Sequence, residues 1–168
     1  MLPDLSAPAG RILTQYGYVA LFSIFILEGA MLLYFAPSES LVPGAIYLLT
    51  NQSSVEIAVV IIIAAIGATI GQTLLFMLAK RGGREYLSKS RWFRVSDKRL
   101  DRFDRWFKRW GPISVVASNS LPFTRGMITV PAGFARMDLR HFVVGSAVGT
   151  LLFQSMLALI TIGALELL

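Results

Sequence analysis

Residues 111–137 read GPISVVASNSLPFTRGMITVPAGFARM. The run is apolar enough for a membrane, yet Pro122, Arg125-Gly126, Pro131 and Gly133 interrupt it. Proline lacks the N–H a helix interior needs and clashes with the preceding turn, so no continuous helix is predicted here. An intact apolar span follows, from His141 to Leu165. The first half repeats the pattern. Tyr16 to Thr50 is apolar but is broken at Glu28, at Ala36-Pro37-Ser38-Glu39 and at Pro43-Gly44. Two complete spans need about 40 residues plus a turn, more than this stretch holds. After a polar gap at Asn51-Gln52-Ser53-Ser54, Val55 to Ala79 is charged only at Glu56, and Lys80-Arg81-Gly82-Gly83-Arg84 is expected to end that helix. Both intact spans carry glycines four apart, Gly67 with Gly71 and Gly145 with Gly149, a device for close helix packing.

The composition agrees with this membrane reading. Of 168 residues, 55% are hydrophobic and 15% charged, with a mean hydropathy of +0.63. Soluble domains are about 25% charged. The absence of cysteine excludes thiolate catalysis, disulfides and Cys-based metal sites, and a single histidine excludes a His cluster. No metal site and no cofactor are expected. Residues 1–15 lack the positive start and small-residue cleavage site of a signal peptide.

The net charge of +6 is concentrated. Between Lys80 and Arg109 there are twelve Lys/Arg and four Asp/Glu, while the rest of the chain carries a slight negative excess. One basic block between apolar halves reads as a cytoplasmic connector at an anionic bilayer, not as a nucleic-acid surface. Within it Leu100, Phe103, Trp106, Phe107 and Trp110 fall at helical spacing, as in an amphipathic helix lying on the membrane.

The expected fold is therefore all-α: one membrane domain over 1–168, with repeat 1 at about 16–79, the connector at 80–109 and repeat 2 at about 110–165. Each repeat is a re-entrant helical hairpin followed by one GxxxG span, and the repeats are inverted. This topology places Arg136 and Arg140 on the same side as the basic block. Four complete spans would place them opposite. Inverted repeats with broken helices near the midplane are a transporter pattern.

Glu28, Glu39 and Arg125 are the charges inside apolar sequence. Such groups are costly in hydrocarbon and must face each other, water or a polar ligand. A structural ion pair is one reading, and ligand or proton handling is the other. Two acids against one arginine leave a carboxylate for proton exchange. Pro37-Ser38 and Pro122-Phe123-Thr124 suit the first turns of half-helices, whose free N–H groups attract anions. With Arg125 added, a phosphate is the natural guest, and Ser38, Thr124 and Asn119 are its further candidate donors. Gln72 and Gln154 read as ordinary interhelical hydrogen-bonding groups. Lipid phosphatases need site histidines and metal-dependent lipid transferases need clustered aspartates. The interiors of the apolar segments contain neither, so an enzyme is not expected.

These residues resemble the DedA family of VTT-domain membrane proteins over about residues 16–160. The likeness is carried by Tyr16-Gly17-Tyr18, Glu28, Pro37-Ser38-Glu39-Ser40-Leu41 and Pro43-Gly44-Ala45; by Gly67-xxx-Gly71 and Gly82-Gly83-Arg84; and by Trp110-Gly111, Leu121-Pro122-xx-Arg125, Pro131-Ala132-Gly133, Met137 and Phe142. The resemblance implies facing re-entrant hairpins and movement of a polyprenyl phosphate or phospholipid across the cell membrane, by a flippase or scramblase linked to proton-motive force. It assigns Glu28 and Glu39 to the family's membrane acids and Arg125 to its hairpin arginine. One departure is Asn119, where the family usually has a second arginine. The alternatives are a proton-coupled exporter of small cations or amphipathic drugs and a non-transporting membrane organiser. So small a chain also leaves room for a homodimer.

Overall fold

The computed structural model describes residues 8–33, 38–50, 53–89, 97–122 and 124–166, and every regular element among them is a helix. Helix α1 spans Pro8–Gly29 and α2 spans Ser38–Leu49; α3 spans Ser54–Lys89 and α4 spans Asp97–Ser120; α5 spans Thr129–Phe134 and α6 spans Leu139–Glu166. Among the described residues two stretches are long and apolar enough to cross a membrane, Ser54–Gly82 in α3 and Leu139–Ala164 in α6. At 1.5 Å per residue each exceeds the roughly 30 Å hydrocarbon core.

Glycine sets the helix pairs. A Cβ at Gly71 would collide with the Ile26 carbonyl oxygen, and one at Gly67 would sit 2.9 Å from the Phe22 oxygen. Helix α1 thus runs parallel to α3 with its backbone against glycine. In the same way a Cβ at Gly145 would sit 3.1 Å from the Pro112 oxygen and one at Gly149 2.6 Å from the Val116 oxygen, so α4 runs parallel to α6. The two long helices are antiparallel: Gln72 of α3 meets Ser146 of α6, and Lys80 Nζ donates to the Met137 carbonyl at 2.8 Å. That last bond brings Arg136 and Arg140 to the same end of the molecule as Lys80 and Arg81.

Each short helix crosses to the other half. In one core Val42, Ala45 and Ile46 of α2 join Phe25, Val60 and Ala64, together with Ala158 of α6. In the other, Ala132 of α5 joins Phe107, Val115 and Phe142, together with Phe76 of α3. The turn after α1 lies beside Gly71, near the middle of the α3 span, and α4 ends beside Gly149, near the middle of the α6 span.

Several boundaries differ from the sequence reading. Helix α4 passes without a break from the basic connector through Gly111 and Pro112 into the second apolar run. Phe107, Gly111 and Val115 lie one turn apart on its buried face. Their packing outweighs the one hydrogen bond that Pro112 forfeits. The exposed Trp106 and Trp110 flank Phe107, while Leu100 and Phe103 have side chains outside the described residues. Helix α3 continues past Gly82-Gly83 to Lys89, because a glycine costs an established helix only about 1 kcal/mol. Pro43 lies inside α2 and Pro131 in the first turn of α5, so neither divides the chain. Pro37 lies outside the described residues.

Asp138 caps α6. Its Oδ1 accepts from the Arg140 and His141 N–H groups at 2.9 and 3.3 Å. The bond from His141 N–H leads the causes that hold this exposed carboxyl below its ordinary value.

Candidate functional site

Glu28 occupies the last turn of α1. The helix stops in a Schellman turn at Met31, φ 58°, with Met31 N–H donating to the Glu28 oxygen and Leu32 N–H to the Leu27 oxygen, both at 2.9 Å. A carboxylate near a helix C-terminus adds to the negative end of the helix dipole, so it calls for a cation.

Arg125 supplies that cation from the turn between α4 and α5. Its Nη2 lies 3.2 Å from Glu28 Oε2, and both side chains are largely withdrawn from solvent, at 6% and 12% exposure. With the Gln154 amide oriented to satisfy both partners, its oxygen accepts from Nη1 and Nη2 at 3.1 Å each. The guanidinium carbon stands 5.2 Å from the centre of the Phe153 ring. This ion pair joins the two interrupted segments, and α6 supports it from the side.

The turn carrying Arg125 is held from within. The Ser118 hydroxyl donates to the Thr124 oxygen at 2.6 Å, and the Thr124 hydroxyl donates to the Ser118 oxygen at 3.0 Å. Gly126, at φ 75°, uses the left-handed region that glycine enters at little cost. Its N–H donates to Asn119 Oδ1 at 3.0 Å. Gln72 Nε2 donates to the same oxygen at 3.2 Å, while Asn119 Nδ2 donates to Gln72 Oε1 at 3.0 Å and to Ser146 Oγ at 3.4 Å. Ser146 donates in turn to Gln72 Oε1. Asn119 therefore uses both donors and its acceptor oxygen within the protein, tying α3, α6 and the Arg125 turn into one network.

The candidates separate accordingly. Glu28 and Arg125 are in contact. Asn119 lies one bond from the Arg125 turn, through Gly126, with its amide committed to neighbours. Thr124 is exposed and its hydroxyl closes the turn. The side chains of Ser38 and Glu39 are outside the described residues, although both residues begin α2. Pro122 lies in the turn after α4, and Gly133 packs against Ala79 and the Phe76 oxygen, each 2.7 Å from its would-be Cβ. The acceptor role of Gln154 and the ring of Phe153 were not assigned from sequence. The usable signal was Ser146, Thr150 and Gln154, polar residues four apart in an apolar helix. Among the described residues no three His, Asp or Glu side chains come together as a metal site.

An all-helical membrane protein with two long apolar helices and a buried carboxylate–guanidinium pair between broken segments is the class this geometry defines. The chain belongs to the VTT-domain (DedA) family: the VTT domain model matches residues 42–164, which include Arg125. Undecaprenyl phosphate transporter A of Staphylococcus aureus is 31% identical over 149 residues, covering 86% of this chain and 72% of that protein. The uncharacterized membrane protein YbfM of Bacillus subtilis is 28% identical over 144 residues, covering 85% and 87%. An alkaline phosphatase-like protein of Lactococcus lactis is 25% identical over 160 residues, covering 92% and 72%. No solved structure matches the chain.

Proposed function

We propose that this protein carries a polyprenyl phosphate across the cell membrane, binding the phosphate at Arg125 and using Glu28 as the anion it exchanges for. The observation that carries this reading is the buried Arg125–Glu28 pair at the meeting of the two turns. The name of the Staphylococcus aureus relative supports the choice of lipid. An arginine fork binds a phosphate through two parallel hydrogen bonds, so a lipid phosphate can replace the carboxylate without leaving the guanidinium bare in hydrocarbon. Glu28, displaced, takes a proton and keeps the charge of the site balanced. Glu39, at the start of α2, is the second proton-carrying acid. Ser38 stands at the start of a returning arm as a further donor, while Thr124, whose one hydroxyl proton goes to the Ser118 oxygen, serves by holding the turn that presents Arg125. Asn119 serves through the Gly126 bond, which fixes the turn that presents Arg125.

The helix directions support two inverted repeats with re-entrant hairpins. The pairs α1–α3 and α4–α6 are each parallel and oppose one another, and both turns lie midway along the spans. The clustering of Lys80, Arg81, Arg136 and Arg140 at one end supports a cytoplasmic placement for the connector. Among the described residues the site brings together a guanidinium, a carboxylate, amides and hydroxyls, a set suited to binding and exchanging an anion, which supports transport.

The test is translocation of labelled polyprenyl phosphate in proteoliposomes of purified protein, with and without a pH gradient. Wild type moves the lipid. Arg125→Ala abolishes movement, and Arg125→Lys, which keeps the charge but loses the fork, restores only part of it. Glu28→Gln removes the dependence on the gradient. No movement by folded wild-type protein would overturn the reading.

A further inference from the structure

We infer that Thr150 is a ligand-binding residue of the Arg125 site, its hydroxyl donating to a phosphate oxygen that the guanidinium leaves open. The inference rests on the proposed function for the identity of the lipid, but its own subject is binding.

Hydroxyls within apolar helices ordinarily turn back to the carbonyl four residues earlier. Thr69, Thr73 and Thr161 do so at 2.7 Å, Ser120 at 2.8 Å and Ser114 at 2.9 Å. Thr150 does not. The residue is 0% exposed, and its Oγ1 has no hydrogen-bond partner. A buried hydroxyl without a partner is a cost that a packing role would not require, because valine has the same shape without it.

Its place on α6 gives that cost a use. Thr150 lies one turn after Ser146 and one turn before Gln154, on the same stripe. The Ser146 hydroxyl is engaged with Gln72 and Asn119. Gln154 faces the guanidinium. The orphan hydroxyl therefore stands between the network that fixes the Arg125 turn and the group that supports Arg125 itself. A carboxylate on Arg125 presents two oxygens, and the fork can take both. A phosphate monoester presents three terminal oxygens, leaving one for a donor from the side. Thr150 is the buried donor in this stripe with no protein partner. It would favour phosphate over the resident carboxylate at the moment of exchange.

The experiment measures thermal unfolding of the purified full chain in detergent, titrated with polyprenyl phosphate, polyprenol or inorganic phosphate, and translocation in parallel proteoliposomes. Without ligand, Thr150→Val unfolds at or above the wild-type temperature, because it removes an unsatisfied hydroxyl. With polyprenyl phosphate, its affinity falls on the order of tenfold, the loss expected for one hydrogen bond to a charged group. Thr150→Ser binds within about twofold of wild type, since it keeps the donor. Polyprenol does not distinguish the variants. Wild-type affinity in Thr150→Val, or a lower unfolding temperature without ligand, would overturn the assignment. A Thr150-dependent response to inorganic phosphate alone would move the site to a free anion and overturn the lipid. Wild-type protein that binds polyprenyl phosphate through Thr150 but does not translocate it would defeat the transport reading and leave the site standing. No response of wild type to polyprenyl phosphate would overturn both.

Discussion

Adding one methyl group at Gly71 should separate the two halves of the ion pair. A Cβ there meets the Ile26 carbonyl oxygen, the Ala30 nitrogen at 2.7 Å and the Gly29 carbon at 2.9 Å. All are backbone atoms, so no side chain can rotate away, and α1 itself must retreat from α3. Overpacking of this kind costs about 1–3 kcal/mol. The same displacement moves Glu28, a neighbour in that turn, away from Arg125. A misplacement of roughly 1 Å at a binding constellation can cost up to a hundredfold in rate. Gly71→Ala should therefore unfold at a lower temperature in detergent and show translocation reduced by on the order of tenfold or more. Gly44→Ala is the matched control, because nothing lies within 4 Å of its would-be Cβ. It should be neutral or stabilised by up to about 1 kcal/mol, the helix preference of alanine over glycine. Equal stability and equal transport in the two variants would refute the close-packing account of α1 on α3.

Three further outcomes follow from the same geometry. Arg125→Ala should destabilise the protein by about 3–5 kcal/mol by leaving the Glu28 carboxylate buried, and adding Glu28→Gln should recover much of that loss; additive effects in an unfolding cycle would contradict a direct pair. Asn119→Ala strands groups on Gln72, Ser146 and Gly126, at about 1–3 kcal/mol for each one left unsatisfied, and chemical denaturation that finds no loss would remove its structural role. The Asp138 carboxyl is held below its ordinary 3.8, so its contribution to α6 is full above that pH and is lost as pH falls through the lowered value. Asp138→Asn keeps a cap but should abolish that acid-side dependence in unfolding curves recorded from pH 6 downward.

Much of the architecture could be read from local chemistry. Apolar runs of span length at 55–79 and 141–165 are legible as helices, because in lipid the backbone has no partner except its own segment. The glycine pairs and the basic block are equally local signals. Proline was a less reliable guide. Pro122 lies where the chain turns, while Pro43 and Pro112 sit inside helices. The cost of proline in a helix, about 3 kcal/mol, is local, but Val42, Ala45 and Ile46 around the first and Phe107 and Val115 around the second gain burial that no local rule counts.

The site was legible only in outline. Glu28 and Arg125 were conspicuous because charge in an apolar run demands a partner, and the chain alone left that partner open between each other, water and a ligand. The sequence reads Asn119 as a donor for phosphate, at the position where the family usually has a second arginine. Its amide is instead committed to Gln72, Ser146 and the Gly126 N–H, groups far apart along the chain. Gln154 and Thr150 drew little notice, since a lone polar residue in a membrane helix has many innocent explanations.

The sequence by itself determined that this is an α-helical membrane protein of the VTT-domain family, with two long apolar helices, interrupted segments and three charges within apolar sequence. Length, hydropathy and the cost of unpaired charge are properties of neighbouring residues, and they act before any fold exists. Only the tertiary structure decided that Glu28 sits on Arg125, that Asn119 holds the turn, and that the Thr150 hydroxyl on α6 has no hydrogen-bond partner among the described residues. Those facts depend on the register of α1 on α3 and of α4 on α6. That register is set by backbone contacts at Gly67, Gly71, Gly145 and Gly149, which exist only once both surfaces have met.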